Sequence, residues 1–279
     1  MTATAPAVAT IRAGAAALAF ERVTCAFAGK TPGERYTAVA EASLAIDEGE
    51  FVSVVGPTGC GKSTLLNVAA GLLAPSSGRI LVAGTPLEGI NVRAGYMFQA
   101  DALMPWRNTL DNVTAGLEFR GVRRETAAAR AREWLARVGL TGFEDRYPHQ
   151  LSGGMRKRVA LAQMLILDPQ ILLMDEPFSA LDIQTRQLME NELLDLWSVN
   201  RRSVLFITHD LEEAIALSDR VVVLSAGPAT HPIGEFAIDL PRPRDVAEIR
   251  LSQHFVELHE AIWQVLKSEV LKGYAQGKR

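Results

Sequence analysis

The sequence has little cysteine, no long apolar run and no excess of one charge, and each shortage excludes something. Two cysteines, Cys25 and Cys60, are too few to staple a secreted scaffold and have no paired metal-ligand spacing, which points to a reducing compartment. Apolar-rich stretches such as Val159 to Leu165 fall short of the roughly 18 to 20 residues that span a bilayer, so the chain is not expected to cross a membrane itself. With 29 basic against 32 acidic residues and a net charge of −3, there is no uniform attraction for nucleic acid. The start, Met1 to Ala19, has no basic residues ahead of a Leu-rich run and is interrupted by Arg12; residues 1–16 read as a mobile tail, not a signal peptide.

What is present suits a folded α/β protein. At 279 residues and 48% hydrophobic content the chain can bury a full core, as one large domain or one with an appended subdomain. Phe51–Val55 is followed at once by a Gly-containing loop and then by Lys62 to Leu73, whose composition suits a helix. Apolar runs recur at Ile171–Met174, Val204–Ile207 and Val221–Leu224, the pattern of a buried, mostly parallel sheet. Upstream, strand-like pieces in Phe20–Ile46 flank the turn cluster Gly29–Gly33 and suggest a hairpin in a small antiparallel sheet. Thr126 to Val138 reads as an exposed amphipathic helix within an inserted helical region. After Pro241-Arg-Pro-Arg244, the spacing of Leu251, Phe255, Leu258, Ile262 and Val265 predicts a C-terminal amphipathic helix whose stripe is a packing face.

Three motifs carry chemistry. Gly56, Pro57, Thr58, Gly59, Cys60, Gly61, Lys62 and Ser63 match G-x-x-x-x-G-K-[ST], placed between a strand and a helix as a phosphate-binding loop requires. Glycines let backbone N–H groups close around phosphate oxygens; Lys62 adds a charge, Ser63 a hydroxyl for Mg²⁺ and Thr64 a further donor. Cys60 lies among donors that would favour its thiolate. The run Ile171–Met174 ends in Asp175-Glu176, where Asp175 would hold Mg²⁺ through water and Glu176 would orient or deprotonate an attacking water. Val204–Ile207 ends in Thr208-His209-Asp210, which sets an imidazole beside the same sheet edge, in reach of a γ-phosphate.

Leu151-Ser-Gly-Gly-Met155 lies between these motifs and resembles the signature of ABC ATPases. With Gln99, Ser179-Ala-Leu-Asp182 and His209 it follows the order and spacing of that family over about residues 18 to 240. The resemblance implies a RecA-like P-loop NTPase core with a small antiparallel β-subdomain and an inserted helical subdomain, binding ATP and Mg²⁺. It also implies a head-to-tail dimer in which Ser152, Gly153 and Gly154 bind the ATP of a second copy and Asp182 sits at the seam. Gln99 is expected to touch Mg²⁺ or the attacking water and to join the helical insert to a membrane partner. For the aromatic that stacks on adenine, Phe27 is preferred and Tyr36 is the alternative.

A closer resemblance is to the ATPases of nitrate, sulfonate and taurine importers. It is carried by Leu103-Met-Pro-Trp106, Asp111-Asn-Val113, Gly154-Met155, Asp175-Glu-Pro-Phe178, Thr208-His209-Asp210 and Pro241-Arg-Pro-Arg244. Lys157 stands where that subgroup usually has glutamine, and Ala162-Gln-Met164 where Ala-Arg-Ala is usual. The expected domains are a tail at 1–16, an ABC ATPase domain at 17–240 with a helical insert at about 97–155, and a linker with its amphipathic helix at 241–279. The expected role is the ATPase of an importer of a small anionic solute. It would be peripheral on the cytoplasmic face of the inner membrane, acting on permease subunits and, through them, an extracytoplasmic solute-binding protein, with no nucleic-acid partner. The alternative is a soluble ABC ATPase acting on DNA or ribosomes.

Overall fold

A computed structural model describes residues 16–29 and 33–276; the tail expected over 1–16 lies outside them except for Ala16. In chain order the strands are β1 (Ala16–Ala28), β2 (Arg35–Asp47), β3 (Phe51–Val55), β4 (Ser77–Val82), β5 (Thr85–Pro86), β6 (Ala94–Met97), β7 (Ile171–Asp175), β8 (Ser203–Ile207), β9 (Arg220–Leu224) and β10 (Pro232–Ala237). The helices are α1 (Lys62–Ala69), α2 (Thr109–Phe119), α3 (Arg124–Arg137), α4 (Gly153–Leu165), α5 (Ile183–Val199), α6 (Leu211–Leu217), α7 (Val246–Ile249) and α8 (Gln253–Gln276).

The main sheet has the order β10-β9-β3-β8-β7-β6, parallel throughout except for β10. Every residue of β3, β7 and β8 is buried, which is why these strands read as unbroken apolar runs: a parallel sheet is covered on both faces. Its register places the site. Val54 pairs with Ile207, Ile207 with Asp175 and Met174 with Met97, so the loops leaving β3, β6, β7 and β8 emerge level along one edge. β6 does not stand out in the sequence, because four residues with Gly95 and Met97 alternately buried are too few to show a period. Parallel pairing with β7 holds it, and Gly95 is needed there: a Cβ would lie 2.6 Å from Met164 Cγ.

The antiparallel sheet, β2-β1-β4-β5, packs Leu18, Phe20, Val23, Val39, Leu44 and Ile46 against α1 and one face of the main sheet. Its expected hairpin joins β1 to β2, with the Gly29 N–H donating to the Glu34 carbonyl at 2.8 Å. A third core lies among α2, α3 and α4, where Val113, Leu117, Ala131 and Leu135 meet Val159 and Ile166; this helical layer draws on α4 well past residue 155.

Two expected boundaries move. α1 ends at Ala69 rather than Leu73 because the chain turns at Gly71 (φ 71°), where a Cβ would fall 1.8 Å from the Gly89 carbonyl oxygen. Leu251 precedes α8 and is 86% exposed; the buried stripe is Phe255, Ile262 and Leu266. Between the core and α8, Arg244 donates to the carbonyls of Ile215, Ala216, Ser218, Ile238 and Leu240, closing the backbone around the end of α6.

Glu213 on α6 is 3% exposed, and burial pushes its carboxyl up to about 8, helped by the nearby Glu190 and Asp210 and opposed by the Thr208 hydroxyl and Arg186. A carboxyl raised in the folded state holds its proton where the unfolded chain has lost it. Stability therefore falls as pH climbs from the ordinary glutamate value towards 8, by at most about 1.4 kcal/mol per pH unit. Melting temperatures followed from pH 6 to 9 are expected to fall in the parent and to fall less in Glu213→Gln.

Candidate active site

The phosphate loop leaves β3 at Gly56 and enters α1 at Lys62, with Gly61 at φ 115°, a conformation that side chains rarely adopt. The buried Lys62 ammonium donates to the carbonyls of Gly56 (2.9 Å) and Pro57 (3.1 Å), which fixes its stem and leaves a third proton for an anion. Thr58, Gly59 and Ser63 are exposed at the mouth, and Thr64 is half-buried behind them. Ser63 Oγ donates to Asp175 Oδ1 at 3.1 Å across the gap between β3 and β7. Burial pushes the Asp175 carboxyl above its usual range, as does neighbouring Glu176, while the Ser63 hydroxyl and Lys62 pull it down. A hydroxyl and a buried carboxylate are hard oxygen donors that fit Mg²⁺. Among the described residues no three His, Cys, Asp or Glu side chains cluster as a metal site. A cation here would complete its shell with phosphate oxygens and water, as Mg²⁺ commonly does.

Glu176, one residue past β7, is the hub. Its backbone takes a left-handed conformation (φ 42°), held by its N–H donating to the Ile207 carbonyl at 2.9 Å and by its carbonyl accepting from Ser179 Oγ at 3.0 Å. The side chain meets two others from different strand ends: Gln99 Nε2 donates to Oε2 at 3.2 Å, and His209 Nδ1 lies 3.0 Å from the same oxygen. His209 is exposed on a turn that is itself tied down: the Asp210 N–H donates to Thr208 Oγ1 at 3.0 Å, and Asp210 pairs with Arg186 at 3.1 Å.

The other residues singled out from the sequence fall into two groups. Ser152 caps α4, its Oγ accepting the Met155 N–H at 3.3 Å, so that Ser152, Gly153 and Gly154 present a helix N-terminus. They lie beside the start of α5: a Cβ on Gly154 would come 2.6 Å from Thr185 Cγ2, and one on Gly153 3.9 Å from Leu181 Cδ2 in the turn before it. Asp182 caps α5 through the Thr185 N–H at 3.0 Å, and this bonding holds its exposed carboxylate below the usual range. Among the described residues, no hydrogen bond or ion pair joins Ser152–Gly154 to the phosphate loop of the same chain. Phe27 and Tyr36 stand directly opposite each other on β1 and β2, 40% and 46% exposed, so both aromatic candidates occupy one face.

Cys60 corrects the expectation made for it. Its side chain is turned into the core, 2% exposed, and burial raises the thiol, outweighing Lys62 and the backbone donors that favour the thiolate. Its backbone N–H is also engaged, donating to the Pro57 carbonyl at 3.2 Å across the loop. The sequence also did not reveal the cluster of Asp101, Arg156 and Lys157 behind Gln99, although Lys157 stood out as unusual at its position.

A Gly-rich loop ending in Lys-Ser between a strand and a helix, faced by acids at the end of a nearby parallel strand, defines a P-loop nucleoside triphosphatase. A family profile described as ABC transporter matches residues 39–179. The chain is 49% identical over 241 residues to an ABC transporter ATP-binding protein of Methanocaldococcus jannaschii, covering 86% of this chain and 88% of that one. It is 44% identical over 237 residues to a taurine import ATP-binding protein of Burkholderia pseudomallei, covering 84% and 91%. A solved dimeric ATP-binding cassette, in a post-hydrolysis state with ADP and Pi, superposes with a TM-score of 0.70 at 30% identity, over 80% of this chain and all of that one. The chain belongs to the ABC transporter family, as an ATP-binding subunit with ATPase activity. No helix among the described residues is long and apolar enough to cross a membrane.

Proposed function

We propose that the chain drives uptake of a small anionic solute such as nitrate, a sulfonate or taurine, working as one of two identical cassettes that close head to tail over ATP. The observation that carries the hydrolytic part of this reading is the meeting of Gln99 and His209 on one carboxylate oxygen of Glu176, the three coming from separate strand ends beside the phosphate loop. The loop from Gly56 to Thr64 binds the phosphates through Lys62 and backbone N–H groups, Pro57 having none to give and that of Cys60 being bonded to the Pro57 carbonyl, and Phe27 or Tyr36 stacks on the adenine. Ser63, Asp175 and Gln99 would hold Mg²⁺, which when bound would supply neutralisation of phosphate charge. Glu176 orients the attacking water and takes its proton, Gln99 sets the angle of that carboxylate, and His209 stabilises charge developing on the γ-phosphate.

Ser152, Gly153 and Gly154 point N–H groups outward from α4 and so suit a phosphate brought by a second copy, with Asp182 at the seam. The dimeric state of the solved relative favours this arrangement, as does the finding that no hydrogen bond or ion pair among the described residues joins signature to phosphate loop. Trp106 (74% exposed), in the loop before α2, and Phe119 (79%), at the end of α2, are apolar side chains suited to being covered by permease subunits. The chain then sits peripherally on the cytoplasmic face of the inner membrane, and the solute-binding protein acts from the other side. The taurine import relatives support the class of cargo.

The experiment is to tag the chain in its native cells, solubilise membranes in mild detergent and identify co-purifying proteins by mass spectrometry. A multi-span permease in near-equal amount is expected. Ribosomal or DNA-processing proteins instead, with the chain absent from membranes, would leave the ATPase standing and overturn transport.

A further inference from the structure

Behind Gln99 lies a buried cationic node to which no role is attached. Lys157 is 2% exposed on α4 and donates to the main-chain carbonyl of Gln99 at 2.6 Å, while its ammonium also lies 3.2 Å from Asp101 Oδ1. The other Asp101 oxygen receives Arg156 Nε at 2.7 Å, and Arg156 Nη1 donates to the Leu151 carbonyl at 2.8 Å, in the turn ahead of Ser152. A continuous polar path therefore runs from the turn that opens α4, through Arg156, Asp101 and Lys157, to the backbone of Gln99. From there the Gln99 amide reaches Glu176.

We propose that Lys157 is a positioning residue for hydrolysis: it locks the backbone of Gln99 to α4 so that the Gln99 amide is held against Glu176. The inference rests on the role given above to Gln99 and Glu176. The physical case is that the backbone at Gln99 lies at the surface, and Lys157 is the side chain that ties it to α4. Gln99 and Ala100 are exposed, and Phe98, 45% exposed, packs on the Tyr96 ring at 4.3 Å between centroids; a buried ammonium with two acceptors adds a restraint on the backbone of Gln99 itself. Charge matters as well as reach. A neutral amide at 157 could donate to the Gln99 carbonyl but would leave Asp101 balanced by Arg156 alone, free to swing out with it. Because Arg156 and Lys157 sit on the helix whose first turn carries Ser152–Gly154, a shift of that turn is passed to Gln99 without passing through the phosphate loop.

The test is a double-mutant cycle on ATPase kinetics with purified chains, using Lys157→Met, which keeps the aliphatic stem and removes the charge, and Gln99→Ala, which keeps the carbonyl and removes the amide. Lys157→Met is expected to lower kcat about 10-fold with KM for ATP within about two-fold. Added to Gln99→Ala it should cost nothing more, since the side chain it positions is already gone. A kcat within about two-fold of the parent, or losses that multiply in the double variant, overturn the inference, since a general structural defect is indifferent to Gln99. If Lys157→Met does not fold, Asp101→Asn, at a partly exposed position, takes its place in the same cycle with the same outcomes. Glu176→Gln measured alongside separates the two readings. Loss of turnover there with a silent Lys157→Met removes only the positioning role, whereas an active Glu176→Gln removes the reading on which it rests.

Discussion

Glu176→Gln is expected to bind ATP as the parent does and to lose turnover by about 100-fold or more, the scale of a general base acting on water. The two side chains have the same shape, and the lost property is the ability to take a proton. The backbone of Glu176, pinned by Ile207 and Ser179 at a positive φ, does not depend on the carboxylate, and the loop that holds the phosphates is not touched. The effect should therefore appear in kcat, with KM near the parent value, and in single-turnover experiments as slow chemistry. With hydrolysis blocked and binding intact, ATP should also accumulate a closed dimer visible by size exclusion, where the parent cycles through it. Turnover within a few-fold of the parent would hand the activation of water to another group beside the γ-phosphate, with His209 the next to test.

The parts of this site that could be read from the sequence are those whose chemistry is local. The phosphate loop is contiguous, its glycines and Lys62 are fixed by the needs of one anion, and the flanking strand and helix declare themselves by apolar run and composition. The strands ending in Asp175-Glu176 and Thr208-His209 were legible for the same reason, since burial on both faces leaves an unbroken apolar stretch. What depends on pairing at long range was not. β6 has two buried residues and owes its existence to β7, yet it is what delivers Gln99 to the edge. The Lys157–Asp101 pair joins residues far apart in sequence, and nothing in either neighbourhood announces it. Cys60 failed differently: the loop's donors were visible, but the thiol's burial against β2 and β9 was not, and desolvation outweighed them. Phe27 and Tyr36 could not be separated because they are cross-strand partners on the same face, and pairing makes them equivalent candidates.

The signature allows a test in which folding and function are separated by the chemistry of one side chain. Ser152 is exposed, and its side chain caps α4 by accepting the Met155 N–H. Aspartate caps a helix as well as serine does, and its charge is favoured at a helix N-terminus, so Ser152→Asp should leave α4 and the melting temperature unharmed. If the phosphates of a second copy must settle on that turn, the new carboxylate meets them with like charge. At about 4 Å and an effective dielectric constant near 20 each charge pair costs about 4 kcal/mol, more than enough for a 100-fold loss of turnover. The chain's own phosphate loop is untouched, so nucleotide affinity measured on the monomer should not change, and the ATP-dependent dimer of Glu176→Gln should vanish when Ser152→Asp is added to it. Ser152→Ala gives the contrasting result: a lost cap costing about 1 kcal/mol of stability and a far smaller loss of turnover. Normal hydrolysis by Ser152→Asp would mean that each chain completes its own site, and the head-to-tail pairing would fall while the roles of Lys62, Asp175 and Glu176 stood.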